Sequence, residues 1–244
     1  MSLALVKVIG LICAASSYYV SVTPPLPRAG PEDKVFKTQS FERIVFALSL
    51  LTRTLFILAM LSEVIVTATI GFPRTSDGIP HYAYAALCPR PQEGVEELQR
   101  VSLLFALGVV LSAVGASIRA WTYRVLGQFY LYEVAIRSNH SLVTRAPYNI
   151  VRHPSYAGLY MSIIGMLTML YSQSNWGRVC GLSYTAFGPL LSLWAVFWSS
   201  VSVYTFISLW GRCVLEDKIL HQKFGDSWSD YRRNVAYRLI PGVV

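Results

Sequence analysis

Residues 101–118 read VSLLFALGVVLSAVGASI, eighteen in a row with no Asp, Glu, Lys, Arg or His. A water-soluble domain has little use for such a run, whereas a helix of this length approaches the thickness of a bilayer's hydrocarbon core. Within it, Gly108, Ser112, Gly115 and Ala116 are small residues at helical spacing, the pattern that lets two helix backbones approach closely in lipid. The stretch therefore predicts a membrane span that packs against a neighbour through small side chains.

Working outward, the same signature recurs. Leu3 to Val22 is an apolar run ended by Thr23-Pro24-Pro25-Leu26-Pro27. Lys7 lies inside this run rather than before it, which favours a retained span over a cleaved signal peptide. Ile44 to Ile70 is long enough to cross with tilt. It contains Arg53 and Glu63, ten residues apart and too distant to pair within one helical turn. We expect Glu63 near an interface and Arg53 snorkelling. Ser155 to Tyr171 gives a fourth span. Val179 to Trp210 is too long for one straight crossing, and Gly188-Pro189 offers a break. The polar tail beyond Arg212 is helical in pattern to about Arg233.

Composition agrees. Of 244 residues, 54% are hydrophobic and 14% charged, against about 25% charged in soluble domains. The net charge of +8 comes from Lys and Arg in the connectors and tail, with no compact basic face interleaved with aromatics. This argues against nucleic acid as a partner and for membrane lipids. The four cysteines, Cys13, Cys88, Cys180 and Cys213, form no CxxC pair or zinc-spaced cluster. Cys13, Cys180 and Cys213, in or next to apolar runs, read as small apolar side chains, with neither a disulfide framework nor a metal site expected.

The expected fold is an all-α integral membrane protein of about five transmembrane helices with a cytosolic C-terminal helical site. Placing the basic segment 119–152 and the tail in the cytosol sets the orientation. The stretch from Thr23 to Glu42 shares that side, while the N-terminus and the connector from Gly71 to Gln99 face the lumen. We divide the chain into N-terminal spans and connectors, 1–118, and a catalytic core with its tail, 119–244.

Two polar segments thereby meet on one side. In the first, Arg152-His153-Pro154-Ser155-Tyr156-Ala157-Gly158, Pro154 stands where an apolar helix begins, a position at which it costs no hydrogen bond. An interfacial anchor would account for these residues taken alone. In the second, Arg212 and Glu216 are four residues apart and share a helix face. They suit either a solvated ion pair or a divided site, with Arg212 receiving a substrate anion and Glu216 facing a cationic or polyhydroxyl cofactor.

The elements Leu126-Gly127, His140-x-Leu142-Val143-Thr144, Pro147-Tyr148, Arg152-His153-Pro154-Ser155-Tyr156-x-Gly158, Arg212-x3-Glu216, Phe224-Gly225 and Tyr231-Arg232-Arg233 occur in this order. Together they resemble the isoprenylcysteine carboxyl methyltransferase family over the last half of the chain. The resemblance implies S-adenosylmethionine as cofactor, held by His140, Ser141, Leu142, Val143, Tyr148, His153, Pro154, Ser155, Tyr156 and Glu216. Glu133 joins this set, standing where the family has glutamine. Ala146 stands where the family usually has glycine. Arg212 matches the arginine assigned to the substrate carboxylate, so Arg212 and Glu216 carry the expected catalytic role. The reaction implied is methyl esterification of the C-terminal carboxylate of an isoprenylated cysteine. Its partners would be prenylated CaaX proteins or a prenylcysteine lipid substrate, and its place the endoplasmic reticulum, with the site facing the cytosol.

The residue types fit this chemistry on their own terms. A methyl sulfonium is favoured by aromatic faces and a carboxylate. A C-terminal carboxylate, with a pKa of roughly 3.3–3.7, is already ionised and needs no base. The alternatives are a phospholipid amine methyltransferase, which would require a base, and a membrane sterol-type reductase, which would require a nicotinamide cofactor.

Overall fold

The computed structural model describes residues 3–26, 34–35, 40–70, 79–88, 95–132, 134–136, 141–180 and 188–243. Among these the protein is a bundle of long helices: α1 (Leu3–Val22), α2 (Ser40–Thr69), α4 (Leu103–Leu126), α5 (Pro154–Leu170) and α7 (Gly188–Phe224). Shorter pieces are α3 (Ile79–Leu87), α6 (Trp176–Val179) and α8 (Asp226–Asn234), with 3₁₀ turns at Val95–Gln99 and Gly127–Phe129. Two two-residue strands, β1 (Lys34–Val35) and β2 (Ala135–Ile136), pair antiparallel with Lys34 opposite Ile136.

Among the described residues four helices are long and apolar enough to cross a membrane: Leu3–Val22, Arg43–Thr69, Glu96–Phe129 and Ser192–Phe224. The fourth expected span is the shorter apolar α5, 17 residues or about 26 Å at 1.5 Å per residue, beginning where Pro154 fixes the turn. The protein is an all-α multi-pass membrane protein, as its sequence pattern implied. The break expected in the last apolar stretch falls at the start of α7. From Gly188 that helix continues unbroken for 37 residues, about 56 Å, far more than the roughly 30 Å hydrocarbon core. Its last third, from Arg212 onward, therefore stands outside the spanning part.

The small residues behave as expected. Gly108, Ser112 and Gly115 of α4 face Gly158, Ser162 and Gly165 of α5. A Cβ added at Gly165 would lie 2.6 Å from the Gly108 carbonyl oxygen, and one at Gly158 would lie 2.7 Å from that of Gly115. This close seam fixes α5, and with it the segment just before Pro154. On α1, Lys7, Leu11, Ala14, Tyr18 and Val22 are buried at spacings of three and four, while Leu5, Ile9 and Ile12 are exposed. That is a helix with one face in protein and the other in lipid.

One expectation requires correction. Cys88 and Cys180 form a disulfide, where we expected no disulfide framework. Sequence separation of 92 residues conceals such a pairing, since the packing of α3 and α6 brings the two together. Cys13 and Cys213 are free thiols. Glu63 is buried and paired. Its carboxylate lies 3.0 Å from Lys7 Nζ, both groups being almost completely buried. Lys7 also donates to the Ser174 carbonyl at 2.8 Å and to Ser174 Oγ at 3.0 Å, and the Trp176 N–H donates to Glu63 at 3.3 Å. Arg53 reaches back to Thr23 Oγ1 at 2.8 Å.

Candidate functional site

At the end of the bundle away from the disulfide, α2, α4, α5, α7, α8 and the 126–132 and 142–153 segments line a cavity of about 150 Å³. Its wall includes Leu142, Val143, Tyr148, His153, Ser155, Tyr156, Arg212 and Glu216. The structure thus collects most of the sequence-predicted site residues. Ser141 is exposed and lies on an adjoining open groove with Leu142, Val143, Arg124 and Gln128. Pro154 is buried as the first residue of α5, where it shapes the turn behind the wall. Glu133 and His140 fall outside the described residues.

Pro154 starts α5 immediately after His153, so the imidazole projects toward α7. There, Nε2 lies 2.9 Å from Asp217 Oδ1 and Nδ1 lies 3.3 Å from Glu216 Oε2. A neutral imidazole donates through one nitrogen only, whereas two carboxylates facing both nitrogens call for the doubly protonated ring. Burial opposes that charge, but hydrogen bonds to Asp217 and Glu216 outweigh it and raise the His153 pKa. Burial also pushes both carboxylates upward, and the His153 partner overrides it, so Glu216 and Asp217 lie below their ordinary values.

Asp217 additionally accepts from Arg238 Nε at 2.9 Å and lies 3.4 Å from Arg152 Nη2. Glu216 accepts from the Tyr156 hydroxyl, and the Tyr156 ring stacks on His153 at 5.8 Å. Glu216 is thereby held at the cavity wall with a fixed orientation. The Arg152 N–H donates to the Tyr237 carbonyl at 3.0 Å and the His153 N–H to that of Arg238 at 2.8 Å. The tail pins the backbone of the turn from outside.

Arg212 lies one turn before Glu216. Its Nη2 donates to the Tyr132 carbonyl at 2.6 Å, and its guanidinium stands 5.7 Å from the ring centroids of both Phe41 and Tyr156. The reading of Arg152 as an interfacial anchor gives way to a buried ion pair. The solvated reading of Arg212 also fails, since the residue is only 4% exposed.

Sequence reasoning missed several members of the wall. Arg119, 1% exposed, donates to Tyr123 Oη at 2.8 Å, to Ser155 O and Oγ at 3.1 Å and to Tyr130 Oη at 3.2 Å. It ties α4 to the first turn of α5. Its signal was an arginine placed among the small residues' own helical face, Ser112, Gly115 and Arg119. Tyr231 Oη donates to the Tyr148 carbonyl at 2.7 Å, which explains the tyrosine of the Tyr231-Arg232-Arg233 element. With Arg119, Arg152, His153 and Arg212 against Glu216, the described wall is mainly cationic and suits an anion.

Residues 106–192 match the model of the isoprenylcysteine carboxyl methyltransferase family. The match ends 20 residues before Arg212 (212 − 192), so the tail's share in the site rests on the cavity just described. Over 141 residues, 57% of this chain, it is 27% identical to the mouse protein-S-isoprenylcysteine O-methyltransferase, covering 42% of that protein. It is 26% identical to the probable rice (Oryza sativa subsp. indica) protein-S-isoprenylcysteine O-methyltransferase, covering 62%, and 26% to the human protein, covering 42%. The chain thus aligns with less than two thirds of the length of these relatives. No solved structure matches. In its matched segment and the order of its motifs the chain is similar to the isoprenylcysteine carboxyl methyltransferase family.

Proposed function

We propose that this protein uses S-adenosylmethionine to methylate the C-terminal carboxylate of isoprenylated cysteine in CaaX-processed proteins. The observation that carries the reading is one cavity lined by Arg212, Glu216, His153, Tyr148 and Tyr156, at the start of α5 and along α7. The family match supports it.

The donor set fits the cofactor: two tyrosine rings, a half-buried and oriented carboxylate, and an open groove beside Leu142 and Val143. Tyr148, Tyr156 and Glu216 would hold the sulfonium end, and His153, Pro154, Ser155 and the 141–143 segment the remainder, together with Glu133 and His140. Bound here, S-adenosylmethionine supplies an electrophilic methyl group whose bond to sulfur breaks as a bond to carboxylate oxygen forms. No proton is moved, so no residue needs to serve as base. Arg212 is the group that orients the carboxylate, by hydrogen bonds from its planar fork. Glu216 is kept ionised by His153 and therefore favours a neighbouring positive charge. The reaction joins opposite charges into neutral products, so a wall that excludes water accelerates it.

Catalytic function belongs to 119–244, while Phe41 and Val45 of the N-terminal part complete the wall. The disulfide supports the orientation. Disulfides persist in oxidising compartments, and Cys88–Cys180 joins connectors at the bundle end opposite the cavity. That arrangement favours a lumenal disulfide and a cytosolic site, as in an endoplasmic reticulum protein.

The test supplies labelled S-adenosylmethionine and N-acetyl-S-farnesylcysteine to the protein in nanodiscs and measures base-labile methyl ester. The parent should form ester, and Arg212→Ala should lose at least about 100-fold, the order seen when a buried charge partner of a reacting group is removed. Cofactor binding without any ester would refute the carboxylate reading in favour of an amine acceptor.

A further inference from the structure

Below the site, at membrane depth, a second void of about 40 Å³ lies between α1, α2, α5 and α7. It shares Phe41, Val45, Tyr132 and Leu159 with the wall of the upper cavity, so the two voids adjoin across these side chains. Tyr18 and Trp198 line it, and with Phe56 they form an aromatic cluster. The ring centroids are 4.6 Å apart for Tyr18–Phe56, 6.2 Å for Tyr18–Trp198 and 6.3 Å for Phe56–Trp198. All three residues are buried. Helices α2 and α7 meet at this seam through side chains: Phe56 against Trp198 at depth, and Phe41 with Ser40 against Tyr204 nearer the site.

Arg212 and Trp198 lie on one unbroken helix, 14 residues apart (212 − 198). At 1.5 Å per residue this separates them by about 21 Å along the axis. Arg212 thus lines the upper void and Trp198 the lower one, at a fixed separation along the helix. We propose that the cluster of Tyr18, Phe56 and Trp198 is the floor of the lipid-binding space and sets the length of isoprenoid chain accepted, with Trp198 as the determining residue. This rests on the proposed prenylcysteine substrate and deepens it. A carboxylate held at Arg212 lays its thioether-linked chain down α7 toward Trp198. The shorter farnesyl chain ends above the floor, and the geranylgeranyl chain, one isoprene unit longer, must displace it. Because rings of this size are rigid, the floor discriminates by shape.

The experiment compares kcat/KM for N-acetyl-S-farnesylcysteine and N-acetyl-S-geranylgeranylcysteine in nanodiscs. The parent should prefer farnesyl. Trp198→Ala should raise the geranylgeranyl-to-farnesyl ratio by about tenfold, the lower end of what a poorly fitting apolar group costs in a pocket. Thr205→Leu, which fills the same void from α7, should move the ratio the other way. Because the ratio is internal to each variant, partial loss of folded protein does not disturb it, and Thr205→Leu serves if Trp198→Ala does not fold. Ester formation with an unmoved ratio overturns the floor while leaving the carboxyl methylation standing. A parent that binds cofactor and esterifies neither compound overturns both.

Discussion

Removing Lys7 alone should damage the bundle more than removing Lys7 and Glu63 together. Both side chains are almost fully buried, and the Lys7 ammonium is held by Glu63 at 3.0 Å, by two oxygens of Ser174 and by the face of Phe105 at 4.4 Å. In Lys7→Met the apolar replacement is comfortable, but Glu63 keeps a buried carboxylate whose remaining described partner is the Trp176 N–H. Breaking a buried pair from one side costs about 3–5 kcal/mol. At about 2–4 °C per kcal/mol for a chain of this size, the midpoint should fall by roughly 6–20 °C. Lys7→Met with Glu63→Leu removes both charges and should recover most of the loss, because an apolar pair of similar volume is often as stable as the ion pair. Thermal unfolding of the two single variants and the double variant in nanodiscs, followed by tryptophan fluorescence, measures the coupling. A Lys7→Met midpoint within 2 °C of the parent, or a double variant no better than the worse single, would refute the reasoning.

Gly165→Leu should be more harmful than its conservative appearance suggests, since even its Cβ would meet Ser112 Oγ at 2.5 Å and the Gly108 carbonyl at 2.6 Å. Overpacking of this kind costs about 1–3 kcal/mol, and by shifting α5 it should also lower cofactor affinity, measurable by calorimetry. The pH dependence of stability follows from His153 and its partners. With its pKa raised, His153 contributes stability that is fully present below its unfolded value, about 6.5, and is lost as pH rises through the higher folded value. With theirs lowered, Glu216 and Asp217 contribute above their unfolded values, about 4, and lose it as pH falls through the folded ones. The cluster should therefore be most stabilising between roughly pH 5 and 6.5. His153→Gln should flatten the alkaline decline in a pH series of unfolding midpoints, and an unchanged profile would rule the cluster out as its cause.

The sequence by itself determined that the chain crosses a membrane, where most crossings lie, which face of α4 is small, and that an apolar helix begins at Pro154. Each of these depends on neighbours within a helical turn or on summed hydrophobicity, so local spacing suffices. The motif residues were legible in the same way, as short elements such as Arg152–Tyr156 and Arg212–Glu216. Only the tertiary structure decided what those residues face. His153 and Asp217 are 64 positions apart, Arg119 and Ser155 are 36, and Cys88 and Cys180 are 92. Lys7 and Glu63 each looked like an unpaired charge in an apolar run until α1 and α2 were packed side by side. No periodicity encodes such partners, because a charge buried in lipid can be neutralised from any neighbouring helix, and which helix is adjacent is set by packing over the whole bundle.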